Sequence, residues 1–559
     1  MSFTHIFHVE DPNLKHSLIE DAVKSNLTTG QHQHNSHGIL VSGLQKDIDD
    51  FVDKYKDKCT ILLDNDHPNQ VKGKFKSHMK RNSKEVIKEH LQSQGSNGGT
   101  AVWFSQYYNF PKQNGKAPVI AIISLGGSFQ QSDLTFYWKN VCGLTTIPTV
   151  LTYTMGQSLP AFGSDSGADG ENTLDLEICG AVCPGATLIF ISAPNTNNGF
   201  YNAFSSCVDG ITINGKTYNP SIVSCSWGSS ESNFGADEIK IFNSIFQKGI
   251  SKNVNFTAAS GDDAASDGNS DNIAHVDFPA GSPYVVACGG TSVNPTTGIE
   301  TLWSYRTSSK SGAGSGVSAF SKMPAWQQDV AVFPSDVTDP ALKSLSGNRV
   351  VPDISLNADP YTGYTIYESG HLQKNSLGGT SCAAPLMAGL LGLMNLNYPV
   401  CTAASLYSLY KTSNSDICFN DITLGTNDNI TDSNTWKCDS GFDYASGLGS
   451  VNGVNLFTGL KQLLYPPQPT PVPTPQPTQP VSTPTPQPTQ PVSTPRPVTP
   501  KPTSLPTKIY YPTQFFWWPI QYPYYPIYYY PTFYYYPFNS SRNVDNSSLT
   551  RYVSSRDDK

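Results

Sequence analysis

Gly378-Gly379-Thr380-Ser381-Cys382-Ala383-Ala384-Pro385 sets a serine behind two glycines and a threonine. It stands directly ahead of an apolar run with helical spacing: Leu386, Met387, Ala388, Leu390, Leu391, Leu393 and Met394. Glycines let another chain approach the backbone closely, and a helix start offers free N–H groups and a dipole that favours negative charge. A serine in this place is either a helix N-cap or a mounted nucleophile. A nucleophilic hydroxyl needs a proton acceptor. Of the 11 His residues, all but His275 and His371 lie at or before His90. Carboxylates fill the gap. Glu171-Asn172-Thr173-Leu174-Asp175 puts two acids at i and i+4, on one helix face one turn apart. Like charges at that spacing repel and raise one pKa, which suits a base buffered by a second carboxyl. Ala258-Ala259-Ser260-Gly261-Asp262 ends a small-residue run in an acid, with Asp263 beside it as a rival.

Upstream, Val119 to Leu125 is a continuous apolar run, as expected for a strand buried on both faces of a parallel sheet. Leu188–Ile191, Ile222–Ser224, Val254–Ala258 and Val285–Ala287 repeat it, with helical stretches such as Glu171–Gly180 and Ala236–Phe246 between. Strands alternating with helices predict a doubly wound α/β sheet, with functional groups at strand ends and helix starts.

These motifs resemble those of the sedolisins, the serine-carboxyl peptidases of subtilisin-like fold. Family landmarks follow in order over residues 101–465: Ala121-Ile122-Ile123-Ser124-Leu125-Gly126-Gly127, Ala181-Val182-Cys183-Pro184-Gly185-Ala186, Ser226-Trp227-Gly228, His275-Val276-Asp277-Phe278-Pro279-Ala280 and Ala287-Cys288-Gly289-Gly290-Thr291. The resemblance implies Ser381 as nucleophile, Glu171 as general base, Asp175 as its orienting partner and Asp262 as oxyanion stabiliser. A base of pKa near 4 and a protonated Asp262 imply an acid optimum. Where the family can carry a second Glu at the end of the Leu-Gly-Gly strand, this chain has Ser124, although Trp227 matches the other member of that extension. The alternative is a catalytically silent binding or structural protein on the same fold. The resemblance also implies one Ca2+ in the stretch Phe419–Thr423 and Asp439–Asp443. Its side-chain ligands would be Asp421 and Asp443, and its carbonyl ligands Ile422, Asp439 and Gly441. Asp439 stands where the family usually has Gly.

The remaining organisation reads from composition. Residues 1–70 alternate strand and helix patterns as βαβαβ: Phe3–Val9, Asn13–Leu27, Gly38–Gly43, a helix through Ile48 and Tyr55, and Cys59–Leu63. The family resemblance makes this a ferredoxin-like, propeptide-type unit, about half the usual length. Residues 71–100 read as an exposed linker, basic from Lys72 to His90, with cleavage expected between about Lys88 and Val102. Residues 101–465 form the peptidase-like domain. Residues 466–508 are a Pro/Thr-rich spacer in which an 11-residue unit occurs at Thr474 and again at Thr485, and 509–559 are an aromatic-rich tail expected to have no fixed fold. That tail suggests attachment to a surface or particle.

Net charge is −8, which argues against a nucleic-acid partner, and no stretch of 18 apolar residues free of Pro and charge predicts a membrane span. The expected partners are peptides or proteins as substrates. The start Met1-Ser2-Phe3-Thr4-His5 does not read as a signal peptide, although the acid chemistry predicts an acidic extracellular or endolysosomal setting or a virion. The 11 Cys residues are expected to give some disulfides and some buried thiols.

Overall fold

The apolar run at Val119 is a central strand in the computed structural model of the chain. The structure describes residues 99–465 except 272, 306–310, 334–336, 338–339, 396–401 and 429–434. It also describes 75–81 and, nearer the N-terminus, 2–8, 17–19, 21–22, 24–25, 28–31, 38–44, 51, 54–55 and 60–61. The chain divides into two units, residues 1–471 and 472–559. The second lies wholly outside the described residues, as do the readings made of the spacer and the aromatic tail.

Eight strands make the central sheet: β1 (Val119–Ser124), β2 (Thr149–Thr154), β3 (Thr187–Ser192), β4 (Ile222–Cys225), β5 (Asn255–Ala259), β6 (Val286–Val293), β7 (Glu300–Leu302) and β8 (Ile354–Asn357). They lie in the order β7-β6-β5-β4-β1-β3-β2, with β8 also paired to β6. Every pairing is parallel except β6 with β7, a short antiparallel edge that the apolar runs do not signal.

The pleat of β1 shows why its whole sequence is apolar. Ile120 and Ile122 enter one core with helix α1 (Ser166–Val182) and helix α4 (Thr380–Met394). Ala121 and Ile123 enter a second core on the opposite face, with α2 (Asn197–Asp209) and α3 (Ala236–Ser251). Side chains alternate across a strand, so a strand covered on both sides needs apolar residues at every position.

Helix α4 is buried at every residue. Pro385 lies inside it. Having no N–H, it cannot bond the carbonyl four residues back, at Ser381. That carbonyl oxygen instead has the Ser226 hydroxyl 3.4 Å away.

Among the described N-terminal residues, four strands pair antiparallel in the order Thr28–Gln31, Gly38–Leu44, Ser2–His8, Thr60–Ile61. Helical residues fall between the first and second and between the third and fourth in sequence. The βαβαβ reading therefore lacked one strand. Thr28-Thr29-Gly30-Gln31 is a polar sheet edge with no apolar alternation to announce it. No helix among the described residues is long and apolar enough to cross a membrane. The nine described cysteines are all free, eight of them buried, which corrects the expectation of disulfides among them.

Candidate active site

Strand ends and helix starts converge on Ser381, the second residue of α4. Gly379, immediately before the first residue of α4, has φ 100°, the left-handed region open to glycine. A Cβ there would lie 1.9 Å from the His78 carbonyl oxygen and 2.6 Å from Asp262 Oδ2, so only glycine fits. The Ser381 hydroxyl donates to Glu171 Oε2 at 3.0 Å. Glu171 and Asp175 stand one turn apart on α1, both buried. This helix start is fixed by Asp169, which accepts from the Ser128 and Gly163 N–H groups at 2.6 Å each. Asn172 adds bonds to the Gly126 and Ser128 carbonyls, tying α1 to the loop that follows β1. The Ser226 hydroxyl donates to Asp175 Oδ1 at 2.7 Å.

Asp262 approaches from the end of β5. Its Oδ1 accepts from both the N–H and the hydroxyl of Thr380, at 2.8 Å each. Its Oδ2 is buried without a hydrogen-bond partner. The structure thus brings together all four residues singled out for catalysis: Glu171, Asp175, Asp262 and Ser381. His275 pairs instead with Asp271, and His371 is exposed at the start of the strand His371–Gly378.

Burial governs the charges here. It pushes Glu171 up to about 8, against the hydroxyls of Ser381 and Ser77, with the Asp262 charge adding to the rise. Burial and the charge of Glu171 raise Asp175 well above the usual carboxylate range. Asp262 is raised to about 6 by burial, in spite of the nearby Lys80 ammonium. The expected base of pKa near 4 therefore does not describe this cleft, because the cleft is covered.

What covers it was missed in the sequence. Residues 75–81, read as part of an exposed linker, cross the cleft as an extended segment. Ser77 pairs with Trp227 and Lys76 with Gly228, antiparallel, and His78 N–H donates to the Ser226 carbonyl at 3.1 Å. On the far side Lys80 pairs with Gly378 and Arg81 with Leu377. Between the two strands, the His78 carbonyl oxygen accepts from the Ser381 N–H at 3.4 Å. Phe75 anchors one end, its ring 4.4 Å from Phe200 and its backbone N–H and carbonyl both bonded to the Asn195 amide. A basic, polar stretch reads as solvated; nothing in its own residues says that a groove receives it.

Two further positions were singled out in the sequence. Ser124 turns its hydroxyl onto the Gly126 carbonyl at 2.7 Å. Trp227 is buried and its indole N–H lacks a hydrogen-bond partner. In the expected calcium loop, Asp421 Oδ2 accepts from the Gly441 N–H at 2.9 Å, and Asp443 Oδ2 lies 3.4 Å from the Asp439 N–H. Asp421 and residues 439–443 are therefore brought together. Asp443 also accepts from Ala445, Ser446 and the Ser446 hydroxyl. No group of three or more His, Cys, Asp or Glu side chains with metal-holding placement occurs among the described residues.

The Subtilase family model matches residues 163–449. Kumamolisin from Bacillus sp. (strain MN-32) is 36% identical over 389 residues, which cover 68% of this chain and 67% of that protein. Sedolisin from Pseudomonas sp. (strain 101) is 29% identical over 354 residues, covering 60% of this chain and 56% of that protein. Among solved structures, Pseudomonas sedolisin complexed with two molecules of pseudo-iodotyrostatin matches with a TM-score of 0.55 at 26% identity, over 66% of this chain and 99% of that one.

Proposed function

Because the chain belongs to the sedolisin family of serine-carboxyl peptidases, we propose that it hydrolyses peptide bonds through an acyl-enzyme on Ser381 in acidic medium. The observation that carries this reading is the 3.0 Å bond from the Ser381 hydroxyl to Glu171. In the proposed sequence the ionised form of Glu171, a minor fraction in acid while segment 75–81 covers the cleft and a larger one once that segment has left, takes the hydroxyl proton as Ser381 attacks the carbonyl carbon. The oxyanion receives hydrogen bonds from the Ser381 N–H and from protonated Asp262, whose unpartnered Oδ2 lies toward the His78 carbonyl. Glu171 then gives its proton to the leaving amine, and a water activated by the same carboxylate hydrolyses the ester. Asp175, held by Ser226, shares the negative charge with Glu171, so the pair titrates as one unit. Cleavage of a mixed peptide library between pH 3 and 8, with Ser381→Ala alongside, tests the reading. Activity in acid that is lost in the variant supports it. Equal turnover by both proteins would sink it.

The segment 75–81 suggests how the N-terminal unit is removed. The carbonyl at the Ser381 N–H belongs to His78, so the bond presented is His78–Met79. This lies upstream of the window expected from exposure. Acid incubation of the full chain is expected to yield a new N-terminus at Met79, and Ser381→Ala is expected to stay intact.

Asp421 and Asp443, with the carbonyls of Ile422, Asp439 and Gly441, form a set of oxygen donors suited to one Ca2+. The approach of Asp421 to Gly441 supports this, and a carboxylate oxygen can accept an N–H bond while ligating. A chelator is then expected to lower the melting temperature by about 5 °C, reversed by added Ca2+. An unchanged melting curve would remove the ion from the account. The aromatic tail is a candidate attachment element. Deleting 466–559 is expected to leave cleavage of a short soluble peptide intact.

A further inference from the structure

The segment in the cleft alternates in character, and the cleft wall answers it. Side chains of an extended chain point to opposite faces in turn. Met79 and Arg81 approach α1, within 3.0 Å and 2.1 Å of where a Cβ on Gly170 would lie. Lys76, His78 and Lys80 face the other way, toward a wall of three acids. Asp263 and Asp267 bracket the short turn Ala264–Ser266 after β5, and Asp277 opens the strand Asp277–Phe278. His78 Nε2 lies 3.2 Å from Asp277 Oδ2. Lys76 Nζ lies 3.9 Å from Asp267 Oδ1.

Asp263 differs from the other two because its two oxygens are divided between two lysines. Oδ2 accepts from Lys76 Nζ at 2.7 Å and Oδ1 from Lys80 Nζ at 3.1 Å. Lys76 is the third residue before the presented bond, and Lys80 the second after it. One carboxylate thus spans the point of cleavage.

We propose that Asp263 is a specificity residue, and that this cleft selects peptides carrying a basic side chain at both the third position before and the second position after the scissile bond. The inference rests on the peptidase reading above. Asp263 remains available for this in acid. Burial would raise it, but the charges and hydrogen bonds of Lys76 and Lys80 outweigh burial and hold it at about 2. Burial keeps Asp267 and Asp277 raised well above the usual range, so they carry less charge at the working pH. The neighbour that looked like a rival for catalysis is instead the ionised part of the wall.

The test uses four quenched-fluorescence peptides built on Phe-Lys-Ser-His-Met-Lys-Arg, with norleucine at neither, either or both lysine positions. Each is given to the acid-incubated full-length chain, to Asp263→Asn and to Asp263→Lys, and product masses verify cleavage between His and Met. The readout is the ratio of kcat/KM between peptides within one enzyme, so a variant that folds poorly still reports its preference. Both ion pairs are partly exposed, which keeps the expected effect modest: about fivefold for two lysines over two norleucines in the unaltered chain. The ratio is expected to fall to about one in Asp263→Asn and to invert in Asp263→Lys. A ratio near one in the unaltered chain, or one that survives Asp263→Asn, overturns the proposal while leaving the peptidase reading intact. Failure of every enzyme to cut any peptide overturns both.

Discussion

Asp262 and Asp263 are neighbours in the chain and opposite in behaviour. Asp262 points into the floor of the cleft, where burial raises it to about 6. Asp263 points along the rim, where two lysines hold it at about 2. The same side chain is thus held toward its protonated form in one place and as a fixed charge one residue later. Surroundings decide this, not the residue type. The residues that meet the reacting groups and those that meet the segment's lysine and arginine heads differ in the same way, while Asp267 and Asp277 of the wall are buried and raised like the floor. Glu171, Asp175 and Asp262 are buried and meet hydroxyls and N–H groups, whereas Asp263 and Glu368 meet cations from a bound segment.

The widest separation between floor and rim should appear on removing one charge from each. Glu171→Gln removes the proton acceptor of Ser381 and is expected to lower kcat by about 10^2- to 10^4-fold. Glu368→Gln removes the partner of Arg81, which is 39% exposed, and is expected to change kcat/KM by about threefold at most. Comparable losses in the two variants would break the division.

Asp262 sharpens it further. Asp262→Ala is expected to cost about 10^2- to 10^3-fold in kcat with a smaller change in KM, as for loss of an oxyanion donor. On the proposed mechanism the donor is lost as rising pH ionises Asp262, which burial holds above the usual carboxylate range. Asp262→Asn donates at every pH, so its activity is expected to decline less between pH 5 and 7. If both proteins lose activity in parallel over that range, the limb belongs to another group.

The sequence carried most of the floor and little of the rim. Gly378–Ser381, Glu171–Asp175 and Ser260–Asp262 are short motifs whose chemistry needs fixed spacing, so they could be found without coordinates. Five of the eight strands of the main sheet were equally legible, since burial on both faces demands unbroken apolar runs such as Val119–Ser124, whereas Thr149–Thr154, Glu300–Leu302 and Ile354–Asn357 mix polar with apolar residues and were not read. The segment 75–81 was not. Its role depends on pairing with Trp227–Gly228 and Leu377–Gly378, far away in sequence, and its lysines read as solvated until their partner is seen. Asp263 was visible only as an alternative to Asp262, because two adjacent acids at a strand end give no sign of which turns inward.

The mildest test of the floor is stability against pH. Asp262 in the floor, and Glu231, buried where it accepts from the Ser318 hydroxyl and the Ala319 N–H, have native values raised by burial to about 6 and 7. A carboxyl raised on folding binds its proton more tightly in the native state than in the unfolded one. Its contribution is therefore full below the unfolded value near 4 and is lost as pH rises through the native value. The rim has the opposite sign. Asp263, lowered to about 2, contributes above the unfolded value and loses that contribution only in stronger acid. Between pH 4 and 8 the raised carboxyls, with Asp267 and Asp277 of the wall among them, outnumber the opposing buried His78, which burial lowers to about 4. The full-length Ser381→Ala chain, which cannot cut itself on this reading, is expected to melt about 5 °C higher at pH 4.5 than at pH 8. Higher stability at pH 8 would mean that the floor carboxyls are ionised in the native state, and would leave Asp262 unable to donate to an oxyanion.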